Sequence, residues 1–569
     1  MIPSVPAIVI LGNGSLATAR SIQQVYPDAL IHGLSGRVDG ADQTYREFGS
    51  TLREFYQQGT PIIALCAAGI VIRTLAPLLL EKGAEPPVLA VAEDGSAVVP
   101  LLGGLGGVNV MAREIAAALE VCAAITTSGE LRFGTCLLNP PNGYALGDLE
   151  RGKRFVSDLL AGETVRIEGS APWLAQAQLP EDAQARLTVH VSHVERSPAK
   201  DELLIYPRNV VVAVSPGMAD VPTAVRAALH QAAIAQQSLV CLLACETEMA
   251  SPALREAAIE LDVPLRFAKP EALRGDGLRR AVGQSISVLL DGAIAIAIAE
   301  QPLDSSHVGR PRGRLAVIGL GPGDAQLMAP AVKAELARAD DVLGYETYVR
   351  MAGPFRAEQV LHCTDNREEM QRARHAFELA AKGRSVVVVS SGDPGVFAMA
   401  AAVLEALHES ADAAWHRVDL EILPGISASL ATAAQAGAPL GHDFCVLSLS
   451  DNLKPWSIIE TRLDLASQAD LALAFYNPIS RARPWQLGRA LEIVAQHRTP
   501  QTPVVLGRDI GRPGQTLKVT TLGQLSPDQV DMRTMVLIGS STTRVIPRAD
   551  AGVWVYTPRS YGDKLLPVE

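Results

Sequence analysis

Short apolar runs that end in glycine, proline, serine or aspartate, each followed by a stretch of helical period, recur along the whole chain. In the first half they predict strands over 7–11, 62–65, 88–92 and 97–100, the last two paired across Asp94-Gly95 as a hairpin. Helices are expected over 16–25, after Cys66-Ala67-Ala68-Gly69-Ile70 with Arg73 on it, and over 111–119. The last of these follows the loop Gly103-Gly104-Leu105-Gly106-Gly107-Val108-Asn109. Such a loop at a helix start suits an anion, or is simply a close packing contact. A further unit reads as strand 210–214, helix 224–235, strand 239–243 and helix 252–261. Between the two, 143–207 is polar and weakly patterned. Stretch 301–313 mixes proline, glycine, serine and charge without periodicity, the composition of a linker.

The second half turns on Arg-Leu-Ala-Val-Ile-Gly-Leu-Gly-Pro-Gly-Asp, from Arg314 to Asp324. Residues 315–318 form an uninterrupted apolar run, the mark of a buried parallel strand. Gly319, Gly321 and Gly323 let a ligand or another backbone approach, and Pro322 fixes φ among them. A helix follows, with Pro330 in its first turn and Val332 and Leu336 on one face. The loop resembles a dinucleotide fingerprint, and Glu346 lies about 20 positions on, as that fingerprint asks. A plain tight turn satisfies the same residues. Three more apolar runs, over 385–389, 418–423 and 471–476, lead into Ser390-Ser391-Gly392-Asp393-Pro394-Gly395, Pro424-Gly425-Ile426-Ser427-Ala428 and Asn477-Pro478. If the strands are parallel, these four loops converge on one edge and line a cleft.

Strands alternating with helices over 569 residues predict an α/β protein of several domains. The formal charge, 50 − 61 = −11, argues against nucleic acid or an anionic membrane as partner. No apolar run is long enough to span a bilayer, and no basic-then-apolar leader opens the sequence. The seven cysteines are scattered, and the nearest pair, Cys241 and Cys245, lies in an apolar run without matching ligands. They read as core residues, no metal site is expected, and a reducing cytoplasm fits.

Two resemblances follow from these motifs. Leu65-Cys66-Ala67-Ala68-Gly69-Ile70, Arg73 and Ala76-Pro77-Leu78-Leu79 resemble the amino-terminal domain of the cobalamin-biosynthesis G family, the cobalt-precorrin-5A hydrolases. That family carries Ser-Gly-His-x-Gly-Gly-Ala-Asn in its glycine loop. Here Gly103 stands for the serine and Leu105 for the histidine, while Gly106, Gly107 and Asn109 remain. The loss of the imidazole removes the evident general acid or base. The unit from Asn209 resembles the same family's carboxyl-terminal domain, but Ala213-Val214-Ser215-Pro216-Gly217 lacks its cysteine and arginine, and Cys245-Glu246-Thr247-Glu248 lacks its lysine. The resemblance thus implies a half that keeps the architecture without the polar equipment. A half that still opens a lactone, and a non-catalytic corrinoid-binding module, are the alternatives.

Gly-x-Gly-Pro-Gly-Asp, Gly-Asp-Pro and Pro-Gly-Ile-Ser, over 314–561, resemble the tetrapyrrole (corrin) methyltransferases. Gly344-Tyr345-Glu346-Thr347-Tyr348, Ser391 to Phe397, Gly441-His442-Asp443-Phe444, Ser448-Leu449-Ser450-Asp451, Tyr476-Asn477-Pro478 and Thr557-Pro558-Arg559-Ser560-Tyr561 are similar to the precorrin-3B C17-methyltransferases among them. The resemblance implies a two-subdomain α/β fold with the cofactor, S-adenosylmethionine, in the cleft between subdomains. It implies a precorrin substrate, C17 methylation with ring contraction, and a homodimer formed through this domain. The cofactor-binding residues it implies are Pro322, Gly392, Asp393, Pro394, Val396, Ser427, Ala428, Tyr476, Leu506, Thr521 and Leu522. Gly321, Gly323, Tyr345, Arg481 and Arg483 are the candidates for substrate binding, the arginines for peripheral carboxylates or else as a solvated basic loop. Asp324 and Glu346 are the catalytic candidates, each equally readable as a helix-end carboxylate, and His442 reads as structural. The expected domains are 1–142, 143–207, 208–300, a linker over 301–312, and 313–569.

Overall fold

The computed structural model describes residues 5–560 apart from 80–84, 284–285, 290–291, 366–367 and 550–551; Tyr561, at the end of one quoted motif, lies outside. The chain forms two compact units, Met1–Arg312 and Gly313–Glu569.

In the first unit the runs with apolar residues on both faces become a six-stranded sheet. Its order is Gln43–Tyr45, Leu30–Leu34, Ala7–Ile10, Ile62–Leu65, Val88–Val91, Val98–Leu102. All neighbours are parallel except the last pair, the hairpin across Asp94-Gly95, with Gly95 at φ +77°. A five-stranded sheet of order Leu265–Ala268, Leu239–Cys245, Val210–Val214, Ile294–Ala299, Ile286–Leu289 forms the later part. Cys241 and Cys245 are buried in it as free thiols, and burial pushes the Cys241 thiol up to about 12.

Two stretches depart from expectation. The weakly patterned region folds as a four-stranded sheet of order Tyr144–Leu146, Glu202–Pro207, Leu187–Val191, Val165–Glu168. Helix Leu149–Leu160 contributes only a narrow buried stripe, Gly152, Phe155 and Leu159, within a face of arginine, lysine and aspartate. The charged majority masks that stripe in the sequence. The stretch expected as a free linker is held as far as Arg310. Val308 is fully buried, Arg310 and Phe267 exchange backbone hydrogen bonds of 2.9 and 2.8 Å, and the Arg266 guanidinium donates to the carbonyls of Ser306, Val308 and Gly309. Backbone pairing and one buried valine leave no periodicity to read.

The second unit has two main sheets. The first is wholly parallel, in the order Val360–Thr364, Asp341–Tyr345, Ser385–Ser390, Arg314–Gly319, Asp419–Leu423. The second runs Phe444–Ser448, Ala472–Tyr476, Thr534–Ile538, Pro503–Arg508, Thr516–Thr521, and beyond its first, parallel pair it is antiparallel. Helix Ala428–Ala436 joins them. It leaves the first sheet's carboxyl edge and packs Ala433 and Ala436 on Ala474, Val505, Met535 and Leu537 of the second. The helix lies so close that a Cβ on Gly507 would stand 2.4 Å from the Thr432 methyl. The expectation that four loops share one edge is therefore corrected. Three do, and the fourth, after Tyr476, comes from the second sheet. One strand run looks like another in sequence; sheet membership is settled by pairing.

Candidate active site

At the carboxyl edge of the parallel sheet, three glycines from three loops touch backbone to backbone. A Cβ on Gly319 would lie 2.5 Å from the Gly392 carbonyl oxygen and 2.8 Å from the Gly425 nitrogen. A Cβ on Gly425 would lie 2.2 Å from the Gly392 oxygen and 2.7 Å from the Gly319 oxygen. Gly321 and Gly392, at φ +73° and +70°, exchange hydrogen bonds of 3.1 and 2.8 Å. The Gly321 amide that a phosphate cradle would offer is thus spent between loops. This removes the dinucleotide reading of the first motif on physical grounds.

Around that contact the polar groups interlock. Asp393 accepts from the Gly395 amide at 2.8 Å and the Gly425 amide at 3.0 Å, tying two loops together. Ser427 caps helix Ala428–Ala436 and meets the Ser429 hydroxyl at 3.0 Å. The Tyr476 hydroxyl reaches across from the second sheet to accept from the Ser429 amide at 3.1 Å. Phe397, held at φ +53°, packs its ring 5.4 Å from that of Tyr476. Pro322, Gly392 and Pro394 are buried, whereas Asp393 and Val396 are partly open. The structure therefore brings Gly321, Pro322, Gly323, Gly392, Asp393, Pro394, Val396, Ser427, Ala428 and Tyr476 together. Tyr345 joins the same sheet edge, its ring 5.4 Å from that of Tyr348.

Other expected residues stand apart. Asp324 is exposed and accepts from the Gln326 amide at 2.8 Å, while Glu346 opens its helix and pairs with Arg350. Arg481 is exposed. Arg483 is 8% exposed, turned inward, and donates to the Asn477 carbonyl at 2.8 Å, where it supports that turn. Leu506 and Leu522 pack into the core beneath the second sheet. Thr521 pairs with Pro503, at the opposite end of the hairpin from Arg508. Five residues of strand, at about 3.3 Å each, separate the two ends. The His442 ring accepts from the Asp443 amide at 2.7 Å.

Arg512 was not expected. Its guanidinium crosses from the second subdomain to donate to the Pro322 carbonyl at 3.1 Å and the Ser391 hydroxyl at 3.0 Å, and its stem covers Gly323. The turn carrying it is set by Asp509, a buried carboxylate at φ +51°, which Arg533 grips with two of its nitrogens and Arg508 approaches at 3.2 Å. The sequence signal is faint, an Asp-x-x-Arg ahead of Pro513-Gly514. The groups facing the cradle are otherwise backbone, hydroxyls and one carboxylate. That donor set fits a neutral nucleoside bearing a sulfonium cation and does not fit a pyrophosphate.

In the first unit, the glycine loop is closed on itself. Gly103 and Gly107 lie at φ +81° and +95°, and the Gly103 carbonyl takes the amides of Gly106 and Val108. A Cβ on Gly103 would stand 2.5 Å from the Pro86 oxygen, so the packing reading holds here. Leu105 is 45% exposed. Asn109 is buried and donates to Thr127 at 2.9 Å and to Glu130 at 2.7 Å; Glu130 also pairs with Arg113. Among the described residues no cluster could hold a metal ion, and no helix is long and apolar enough to cross a membrane.

Comparison with known proteins matches residues 314–526 to the tetrapyrrole (corrin/porphyrin) methylases and residues 50–130 to the cobalamin synthesis G amino-terminal family. The precorrin-3B C(17)-methyltransferase of Sinorhizobium sp. is 49% identical over 249 residues, 44% of this chain and 97% of that protein. A probable cobalt-factor III C(17)-methyltransferase of Salmonella typhimurium is 39% identical, over 43% of this chain and 99% of that protein. The crystal structure of the methyltransferase CobJ shares 51% identity and covers 43% of this chain and all of that one, with a TM-score of 0.41. Identity at that level over nearly the full length of a relative places the chain in the tetrapyrrole (corrin/porphyrin) methylase family, as a methyltransferase joined to a cobalamin G-like region.

Proposed function

We propose that the chain methylates C17 of precorrin-3B and contracts its macrocycle, with S-adenosylmethionine held by Pro322, Gly392, Asp393, Pro394, Val396, Ser427, Ala428 and Tyr476. The observation that carries this reading is the three-glycine contact, with Asp393 and Tyr476 bracing it from two sides. When bound, the cofactor supplies an already activated methyl group, so the protein's task is placement. Asp393 fixes the spacing of two loops, and Tyr476 sets the second subdomain against the Ser427 loop of the first. Gly321, Gly323 and Tyr345 lie on the same edge and suit the tetrapyrrole face. For contraction, a group must take a proton or hold oxygen charge. Asp324, exposed beside Gly323, is favoured over Glu346, whose carboxylate pairs with Arg350. Leu506, Thr521 and Leu522, on the second sheet and just after it, complete the proposed cofactor set.

The first unit is read as a scaffold that no longer opens a lactone. Leu105 cannot transfer a proton, and the carboxylate near the loop, Glu130, is engaged by Asn109 and Arg113. The domain limits suggested by the sequence, and a homodimer through 313–569, belong to the same proposal; sedimentation of the intact chain tests the latter. The main test is incubation of the full chain with precorrin-3B and methyl-labelled S-adenosylmethionine, followed by mass analysis. One labelled methyl in a contracted product is expected. Label appearing only with cobalt-factor III would shift the reading to the metal-bearing substrate, and no label with either would overturn it. Release of acetaldehyde from cobalt-precorrin-5A would restore the bifunctional alternative.

A further inference from the structure

The mouth of the cleft holds a cation with which, among the described residues, no carboxylate pairs. Lys454 follows the strand Phe444–Ser448 on a loop of the second subdomain, and its Nζ stands 5.8 Å above the Phe397 ring. Phe397 comes directly after the Gly-Asp-Pro-Gly-Val loop, is half exposed, and sits in a left-handed conformation that bulky residues seldom adopt. That conformation turns the ring onto Tyr476, the residue that closes the cradle. Lys454 therefore overlooks the same opening from the other subdomain. Its loop is fastened to the neighbouring one that carries Arg481: the Asn477 amide donates to Ser448 at 3.1 Å, and the Gln486 amide to Asp451 at 3.2 Å.

Partial burial lowers the Lys454 ammonium's pKa, and the like charge of Arg462 lowers it further; among the described residues no carboxylate pairs with it. The carboxylates of these elements are occupied, Asp451 by Gln486 and Glu460 by Arg489. A cation kept partly desolvated beside another cation costs stability unless an anion arrives. Resting on the methyltransferase reading above, we infer that Lys454 and Phe397 form a subsite for a carboxylated tetrapyrrole, the ammonium taking a peripheral carboxylate and the ring lying against the macrocycle. The aromatic face accepts a flat conjugated ligand, and the charge selects an acidic one. A solvated surface lysine would show neither the desolvation nor the ring beneath it.

The test uses the full chain with uroporphyrin III, an octacarboxylate, as a fluorescent probe, and its octamethyl ester as the uncharged counterpart. Lys454→Gln should weaken uroporphyrin binding about tenfold, the lower end for a hydrogen bond to a charged group. Lys454→Arg should stay close to the parent, and the ester should bind parent and Lys454→Gln alike. Affinity for S-adenosylhomocysteine, read by calorimetry, should be unchanged in both variants. Equal uroporphyrin affinity in Lys454→Gln and the parent would overturn the subsite, as would failure of the parent to bind the probe. Failure of the parent to bind S-adenosylhomocysteine would instead strike the methyltransferase reading, leaving the uroporphyrin comparison to decide the subsite.

Discussion

Gly425→Ala adds one methyl group at the point where three loops meet, and its cost can be worked from the contacts. The new Cβ would sit 2.2 Å from the Gly392 oxygen and 2.7 Å from the Gly319 oxygen. A carbon and a carbonyl oxygen settle at about 3.3 Å or more, so the backbones must part by roughly 1 Å. No rotamer can absorb this, because both neighbours are main chain. Moving Gly392 breaks its paired hydrogen bonds with Gly321, at 3.1 and 2.8 Å, and shifting Gly425 strains its amide bond to Asp393 at 3.0 Å. Overpacking at about 1–3 kcal/mol and two or three hydrogen bonds at about 0.5–1.5 kcal/mol each give about 2–7 kcal/mol. If the loops are the cofactor cradle, much of this falls on binding, because the ligand must restore the displaced geometry. Calorimetric titration with S-adenosylhomocysteine should then show at least about thirtyfold weaker binding. Gly488→Ala is the control: it lies within a helix and its Cβ would meet nothing closer than 3.9 Å, so it should be neutral or slightly stabilising. A Gly425→Ala protein with parental unfolding and a dissociation constant within about twofold of the parent's would refute the reasoning.

Asp393→Asn keeps the shape but faces one amide donor with another, and should weaken S-adenosylhomocysteine binding by about 1–3 kcal/mol; unchanged affinity in the folded variant would show that the carboxylate strut is dispensable. Arg512→Ala should cost about 1–2 kcal/mol of the same affinity, and Arg512→Lys should not recover it, because an ammonium cannot bond the Pro322 carbonyl and Ser391 with a planar fork. Full recovery by lysine would reduce the residue to a charge. In the first unit, burial pushes His32 down to about 4, against the nearby Asp42 charge. Its folded pKa lies below the unfolded 6.5, so the unfolded chain takes the proton first as pH falls. Stability should be level above pH 6.5 and decline from there to about pH 4, by up to about 3 kcal/mol. Urea unfolding at several pH values should show a shallower decline for His32→Phe, and parallel curves would exclude His32 as the cause.

Much of the fold was legible because buried parallel strands announce themselves as unbroken apolar runs. Ile62–Leu65 and Val210–Val214 have the expected bounds, and the loops after Arg314–Gly319, Ser385–Ser390 and Asp419–Leu423 carry the glycines that the backbone contacts require. Pairing partners were not legible, which is why the Tyr476 loop was assigned to the wrong edge. Arg512 escaped notice because it acts 190 and 121 residues away in sequence, on Pro322 and Ser391. Arg483 and Arg481 look alike in the sequence, and only the turn at Asn477, at φ +50°, sends one inward.

The two glycine-rich loops of this chain separate what glycine permits from what makes a site. Both resemble phosphate cradles in sequence, and both spend their amides on nearby carbonyls, Gly106 and Val108 on Gly103 in one, Gly321 on Gly392 in the other. In each, glycine serves close backbone approach, and anion binding does not follow from it. The difference lies in the surrounding polar groups. Around the first loop Asn109, Thr127, Glu130 and Arg113 satisfy one another, and the outward residue is a leucine. Around the second, a separate subdomain brings a tyrosine hydroxyl, an arginine fork and a lysine to the rim of a partly open aspartate. Polar groups that have closed on each other have little left to offer a ligand, whereas those held at the edge of a cleft by a second body can still exchange water for one. On the reading proposed above, chemistry belongs to the groups held at the cleft edge of the second half, while in the first half Asn109, Thr127, Glu130 and Arg113 serve the fold.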